Sequence, residues 1–491
     1  MATVSTGLSN GHHHSNKQVD KTSKYAIVAA VCYVSGLLLV FFLVNDEVPQ
    51  PYMDEIFHVD QARSYCVGNF SYVSTSFQVL HHSHVVLNYV FHQWNKKITT
   101  PPGLYLTTLG FLKPFSELYA FGEEAADLIC PTTMLRFINI IFGVANAYLI
   151  FLINWHQYKS IRSHSVLVVS SIAIALFPCL YFFNFLFYTD SGSVFFVLLM
   201  YFHHLNHQEW LAAVFGLMSL LFRQTNIVWV FFIAAKQAIT IIQISLPKMK
   251  KKSNQKQSII VTFLSLVVVC GGYALVGLAF LMFLVANRGI VLGDKAAHQA
   301  TLNIPQLFYF FGFCAFFGIP WFSSYLTIKD FVKFVKNNRL LIVMLTTATG
   351  FLLKTMATVH PYLLADNRHY TFYVWRKILD PSNIYSLYTL PFIFVYAGFA
   401  FFNAMPHKDT LWKCLFLFCI AVSVVPQKLL EFRYFVTPFI MWRLNVLPAD
   451  PYQMVLELVL NTIQNLCILY LFLFEPFYWD HDDYHEQRFM W

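Results

Sequence analysis

Asp54 and Glu55 stand side by side in ValProGlnProTyrMetAspGluIlePheHis, residues 48–58. A carboxylate placed near a reacting hydroxyl can take its proton as a general base. Neighbouring side chains do not face the same way on a helix or a strand. The pair therefore reads as one carboxylate in a site and one holding it, not as a matched acid and base. An acidic pair on a solvated loop would look the same. The membrane-length apolar run just before it, and the flanking Tyr52, Phe57 and His58, favour the site.

Other polar islands interrupt apolar stretches further along. They are Tyr188-Thr189-Asp190, Arg223-Gln224-Thr225-Asn226, Gly293-Asp294-Lys295 with His298, Asp366-Asn367-Arg368-His369-Tyr370, and Glu431-Phe432-Arg433-Tyr434. Charged groups at the edge of a hydrocarbon core are costly and usually face a protein cavity. Guanidinium is a better fork for phosphate than an ammonium group. Arginines held at membrane depth on one side thus suggest a phosphate-bearing ligand; the plainer alternative is that they snorkel or pair with nearby acids. His81, His82 and His84 lack such company and read as loop residues, and His12–His14 sit in a polar tail without a scaffold for a metal. No metal site is expected.

The elements that must position these groups are membrane helices. Of 491 residues, 57% are hydrophobic and only 12% charged, with a mean hydropathy of +0.54. A soluble domain carries about 25% charged residues, so a water-facing globule is excluded, as are collagen, disordered and disulfide-framework classes. The net charge of +8 comes largely from Lys between apolar runs, which reads as loop charge orienting the chain in a bilayer and not as a nucleic-acid surface. Residues 1–23 read as a flexible cytosolic tail. Lys24–Val44 reads as an uncleaved signal anchor, and residues 45–132 as a long first loop. Spans of helical length follow near 133–155, 165–183, 192–205, 210–222, 226–246, 258–286, 305–327, 340–357, 387–404, 412–427 and 453–475, the fourth and fifth of the whole set being short. With the anchor this makes about twelve spans, so residues 476–491 would form a cytosolic C-terminal tail. The Lys-rich loops 156–164, 247–257, 328–339 and 405–413 then share the N-terminal side, as the positive-inside rule requires. The polar islands, with Arg63, Arg136, Arg288, Arg376 and Arg443, map to the opposite side. Pro101-Pro102 opens a short apolar helix, 103–112, that lies on the membrane surface, because a crossing there would invert every later loop. The sequon Asn69-Phe70-Ser71 falls in the first loop and is usable only from a lumenal or extracellular side. Of nine Cys, Cys66 and Cys130 alone fall in long non-membrane segments; they form either a disulfide or two free thiols.

ProTyrMetAspGluIlePheHis, IleThrThrProProGlyLeuTyr, PheArgGlnThrAsnIleValTrp, AlaAspAsnArgHisTyrThrPheTyrValTrpArg and GluPheArgTyr together resemble the eukaryotic dolichyl-phosphate-glucose α-1,2-glucosyltransferase family. The resemblance runs from about residue 48 to the closing GlnArgPheMetTrp, with residues 72–97 longer than the family's pattern. It implies an all-α polytopic membrane protein of the GT-C glycosyltransferase type in the endoplasmic reticulum membrane, with its site facing the lumen and both termini cytosolic. The implied donor is dolichyl phosphate glucose and the implied acceptor a diglucosylated dolichyl-pyrophosphate oligosaccharide, with membrane lipid as surroundings and no cofactor. The family's catalytic acid in the first lumenal loop falls on Asp54, with Glu55 as substitute. For the leaving phosphate we expect Arg368 first, then Arg223 and Arg433, with His369 and Tyr370 bonding phosphate or sugar. Asp190, Asp366, Asp294 and His58 are expected to bind sugar hydroxyls or orient the basic groups. A mannose-transferring relative is the alternative among enzymes. A transporter or channel-associated protein is the alternative outside them, but the chain shows no internal repeat of the kind transporters carry.

Overall fold

A computed structural model describes residues 10–66, 94–119, 130–249, 255–295, 298–448, 450–479 and 482–491. Asn69 and His81, His82 and His84 lie outside the described residues. The chain is an all-α polytopic membrane protein. Its helices are α1 (Asn10–Glu47), α2 (Glu55–Cys66), α3 (Gly103–Tyr119), α4 (Thr132–Tyr158), α5 (His164–Ala175), α6 (Pro178–Phe182), α7 (Asp190–Leu205), α8 (Glu209–Phe222), α9 (Ile227–Met249) and α10 (Gln255–Asn287). There follow α11 (Pro305–Phe317), α12 (Ile319–Phe322), α13 (Tyr325–Asn337), α14 (Arg339–Met356), α15 (Pro361–Ala365), α16 (Tyr370–Val374), α17 (Ile384–Asn403), α18 (Thr410–Val424), α19 (Arg433–Leu444) and α20 (Pro451–Phe474). A small antiparallel hairpin, β1 (Phe477–Trp479) and β2 (Asp482–Gln487), ends the chain.

Among the described residues, seven helices are long and apolar enough to cross a membrane. The other runs read as spans fold as shorter or broken helices. Pro178 separates α5 from α6, and Pro320 stands in the first turn of α12, just past the end of α11; a proline removes an amide donor and clashes with the preceding turn, so it favours a helix start. Local signals set other helix starts. Asp409 caps α18 by accepting the Trp412 amide at 2.7 Å, and Asp450 caps α20 through the Tyr452 amide at 2.9 Å, with Pro451 in the first position.

The molecule has two ends, and α4 connects them. Near its start Arg136 bonds Glu55; at its finish the Tyr158 hydroxyl donates to the Leu444 carbonyl at 3.0 Å. His407, from the Lys-rich loop 405–413, packs on Tyr158 with ring centres 6.3 Å apart, so loops 156–164 and 405–413 share that end. α19 makes the same journey, from Arg433 beside Asp54 to Leu444 beside Tyr158. It is buried on nearly all sides, with Phe435, Val436, Phe439, Ile440, Met441 and Trp442 in the core. A helix with nearly every face buried belongs inside a bundle.

This path corrects two expectations. Arg443 sits at the Tyr158 end, bonded to Glu457 and over the Trp321 ring, not with the polar islands. Residues 476–491 were expected on the face opposite Asp54. Instead α20 starts near Arg443 and finishes with Phe472 against Tyr52 at 5.8 Å, returning the C-terminal hairpin to the Asp54 end. The reason is an extra traverse. Residues 433–444 carry Arg433, Arg443 and Pro438, which dilute the apolar signal, yet the protein pairs both arginines internally.

Candidate active site

Glu55 opens α2 and is wholly buried. Its Oε1 accepts from Arg136 Nε at 2.8 Å and the Phe187 amide at 2.7 Å; Oε2 accepts from Arg136 Nη2 at 2.7 Å and the Tyr52 amide at 3.0 Å. Arg136, equally buried, also donates to the carbonyls of Val48 and Gln50 at 2.7 and 3.1 Å. A buried ion pair is tolerable only when the geometry is good and further hydrogen bonds satisfy its remaining atoms. Both conditions hold here. Glu55 and Arg136 thus clamp the chain from α1 to α2, and Met53, at φ 58°, turns it sharply in the left-handed region.

That turn presents Asp54. Half of its side chain is exposed, and its Oδ2 accepts from Arg433 Nη2 at 3.2 Å. Burial within the fold acts to raise its pKa, but the Arg433 guanidinium, with His58 and His369 nearby, outweighs it and holds the carboxyl below its ordinary range. His58, one turn along α2, is buried; its Nδ1 lies 2.5 Å from the Tyr105 hydroxyl and its ring packs on Tyr188. Burial, helped by the charges of Arg433 and Arg223 against the opposing pull of Asp54, brings its pKa down to about 4, so it is neutral near pH 7.

Arg433 bonds Glu431 as well as Asp54 and lies over the rings of Phe183 and Tyr188, 5.4 and 5.1 Å from their centres. Arg223 pairs with Asp190 at 2.8 Å and lies over Tyr434. The two guanidiniums share a small cleft that Asn226, Gln427 and Tyr434 also line. Phe222, just before Arg223, is seated by two glycines. A Cβ on Gly192 would strike its ring, and one on Gly103 would lie 2.5 Å from the Leu221 carbonyl. Asp190 Oδ2, Arg223 Nε and the Tyr188 hydroxyl are buried without a hydrogen-bond partner. Unsatisfied polar atoms are costly in a protein interior, and these three lie on Arg223 itself and on side chains that contact Arg223 or Arg433.

The remaining expected residues fall in two other groups. Arg368 is bound at 2.8 and 2.9 Å to Asp366, donates to Gln487 at 3.0 Å and stacks over Trp479 at 4.9 Å. Asp366 in turn is buried enough to raise its pKa, but its bonds from Arg368 and the nearby His369 bring it below the ordinary value. His369 and Tyr370 meet the last residues of the chain. Asp294 meets the Tyr362 hydroxyl at 3.3 Å and His298 at 3.9 Å. Arg223, Arg433, Asp190, His58 and Asp54 thus gather together, while Arg368 and Asp294 have partners of their own. Sequence reasoning placed Arg136 on the side of the polar islands without giving it a role in the site, and did not single out Tyr105. Arg136 had a signal, being a charge inside the apolar run 133–155. A Cys66–Cys130 disulfide ties the end of α2 to the approach to α4.

The family model described as the DIE2/ALG10 family matches residues 48–74 and 80–444. The chain belongs to the DIE2/ALG10 family. Members similar to it include the protein named Dol-P-Glc:Glc(2)Man(9)GlcNAc(2)-PP-Dol alpha-1,2-glucosyltransferase in Mus musculus, 38% identical over 95% of this chain and 98% of that one. Proteins of the same name in Homo sapiens and Candida albicans are 36% and 33% identical, over 95% and 93% of this chain and 99% and 97% of theirs. No solved structure matches the chain.

Proposed function

We propose that this member of the family is an α-1,2-glucosyltransferase that moves glucose from dolichyl phosphate glucose to the diglucosylated dolichyl-pyrophosphate oligosaccharide. Family membership across almost the whole chain supports the substrates. One observation carries the mechanism: Asp54 is the open carboxylate of the acidic pair, 3.2 Å from an arginine in a cleft.

The donor's glucose is β-linked to phosphate and the product linkage is α, so attack inverts the anomeric carbon. An acceptor hydroxyl forms the new bond to that carbon and gives its proton to Asp54. The bond to the phosphate oxygen breaks, and the phosphate leaves with the electron pair. Phosphate leaves without protonation, so one carboxylate suffices where glycoside hydrolysis uses two. Glu55, with both oxygens filled, is no base; it holds Asp54 in place. Arg433 and Arg223 supply fixed positive charge to the leaving phosphate. They replace Arg368 as the leading candidates, since Asp366 and Gln487 already occupy its fork. Neutral His58, the Tyr188 hydroxyl and the free oxygen of Asp190 offer hydrogen bonds to sugar hydroxyls.

The Asp54 end faces the lumen of the endoplasmic reticulum in this reading. A disulfide at that end suits an oxidising compartment, and Lys-rich loops at the Tyr158 end suit the cytosol. The C-terminal hairpin is then lumenal. The test is transfer of labelled glucose by purified protein carrying Asp54→Asn. Activity should fall by about 10²–10⁴-fold, the range for losing a general base, with the thermal midpoint unchanged. Wild-type turnover would eliminate Asp54 as the base.

A further inference from the structure

The last residues of the chain touch three separate segments around the site. The Tyr52 hydroxyl, two residues before Asp54, donates to the Arg488 carbonyl at 2.9 Å and accepts the Arg488 amide at 2.7 Å. The Met490 amide donates to the Arg368 carbonyl at 2.9 Å, and the Tyr370 amide returns a bond to the Met490 carbonyl at 3.0 Å. His369 Nδ1 lies 2.9 Å from the Trp491 carbonyl oxygen. That oxygen only accepts, so Nδ1 is the donor in this bond. The Trp491 ring, buried, packs on Tyr370 at 5.1 Å and on Phe432 at 5.8 Å. Phe432 immediately precedes Arg433.

The segment is itself well anchored. Arg488 is buried and donates through Nη1 to the carbonyls of Phe472 and Leu473 at 2.8 and 2.7 Å, covering the open end of α20. Cations and donors at a helix C-terminus satisfy its orphan carbonyls. One end of the strap is therefore fixed to a core helix while its backbone pairs with the loops.

We infer that residues Arg488–Trp491 form a positioning strap that sets the Asp54 loop, the His369 loop and the start of α19 at fixed separations for sugar transfer. The inference rests on the reading of Asp54 as the base. Its chemical content is alignment: the strap holds the base relative to the donor-binding groups and sets the orientation of the His369 ring. Misplacement of reacting groups by about 1 Å can cost on the order of a hundredfold in rate, so even partial loosening is measurable.

Tyr52→Phe is the gentle test, because it retains the ring contact with Phe472 and removes only the hydroxyl. With dolichyl phosphate glucose as varied substrate, kcat should fall about tenfold, while donor KM and the thermal midpoint in detergent stay near wild type. Trp491→Ala should likewise lower kcat at an unchanged donor KM, with a lower midpoint from the lost packing, and Trp491→Phe should recover most of the rate. In Tyr52→Phe, a midpoint that drops in step with kcat would mean ordinary structural packing and would overturn the strap. Wild-type kcat in Tyr52→Phe beside an inactive Asp54→Asn protein overturns the strap and leaves the base standing. Wild-type turnover in Asp54→Asn overturns both.

Discussion

Arg433 and Arg443 begin and end the same helix, and each is paired with carboxylates from elsewhere in the chain. At the Tyr158 end, Arg443 and Glu457 are 1% and 2% exposed, joined by two bonds of 2.7 and 2.8 Å, with Ser170 accepting a third at 3.2 Å. At the other end, Arg433 is held by the largely buried Glu431 and also meets Asp54, which is half exposed, through one longer bond. The Glu55–Arg136 clamp repeats the closed arrangement beside the open one. An ion pair closed to solvent holds helices together; an ion pair with one open carboxylate can still exchange a partner for a substrate. The α19 helix carries both kinds, so it ties the site rigidly to the far end of the bundle.

The closed pair should give the largest change in stability and leave chemistry alone. Removing one partner of a buried pair costs about 3–5 kcal/mol, because the other charge is left uncompensated. Glu457→Leu should therefore lower unfolding stability by that amount in detergent. Adding Arg443→Met should restore much of it, since apolar residues of similar volume often replace a buried pair without loss. Transfer per folded molecule should match wild type in the double variant. A double variant as unstable as the single one would refute the closed-pair account.

The open pair should behave the other way. Arg433→Gln removes a guanidinium that supports both Asp54 and the proposed phosphate position. Losing a fixed charge-stabilising donor costs about 2.7–4 kcal/mol, or 10²–10³ in rate. It should also move the acidic limb of kcat/KM. In the wild type the Asp54 pKa is below its ordinary value, so the base is ionised throughout the neutral range and activity is lost only as pH falls through that low value. Without Arg433 the effect of burial, which raises the pKa, meets less opposition, and the limb must shift to higher pH. A lowered rate with an unmoved limb would separate Arg433 from Asp54.

Much of this comparison was legible in the residues and part of it was not. The apolar runs placed every long span, because length and hydropathy are local properties. The polar islands around Asp54, Asp190, Arg223 and Arg433 stood out because charge is rare in such a background. The role of α19 did not, since its two arginines and Pro438 lower the very signal that marks a span; what offsets them are Glu431, Glu457 and Asp54, two of which come from distant elements. The C-terminal strap was invisible for the same reason. Its grip on Tyr52 and His369 consists of hydrogen bonds between their side chains and backbone groups 436 and 122 residues further along, which no residue pattern announces.

Asp294 sharpens the contrast from the weak side. It lies among polar residues as Asp190 does, and the sequence ranks the two alike. Yet Asp190 is buried, bonds Arg223 at 2.8 Å and keeps one oxygen unpartnered beside the cleft. Asp294 is partly exposed and has a 3.3 Å bond from the Tyr362 hydroxyl and a 3.9 Å contact with His298. Weak, solvent-screened contacts contribute little, and no arginine of the cleft depends on them. Asp294→Asn should therefore change transfer by less than about twofold, within the usual surface range, with no change in pH profile. Asp190→Asn, by removing the charge that orients Arg223, should raise donor KM well beyond that. Equal effects of the two substitutions would show that the cleft extends to Asp294, and the distinction between open and closed pairs would no longer locate the site.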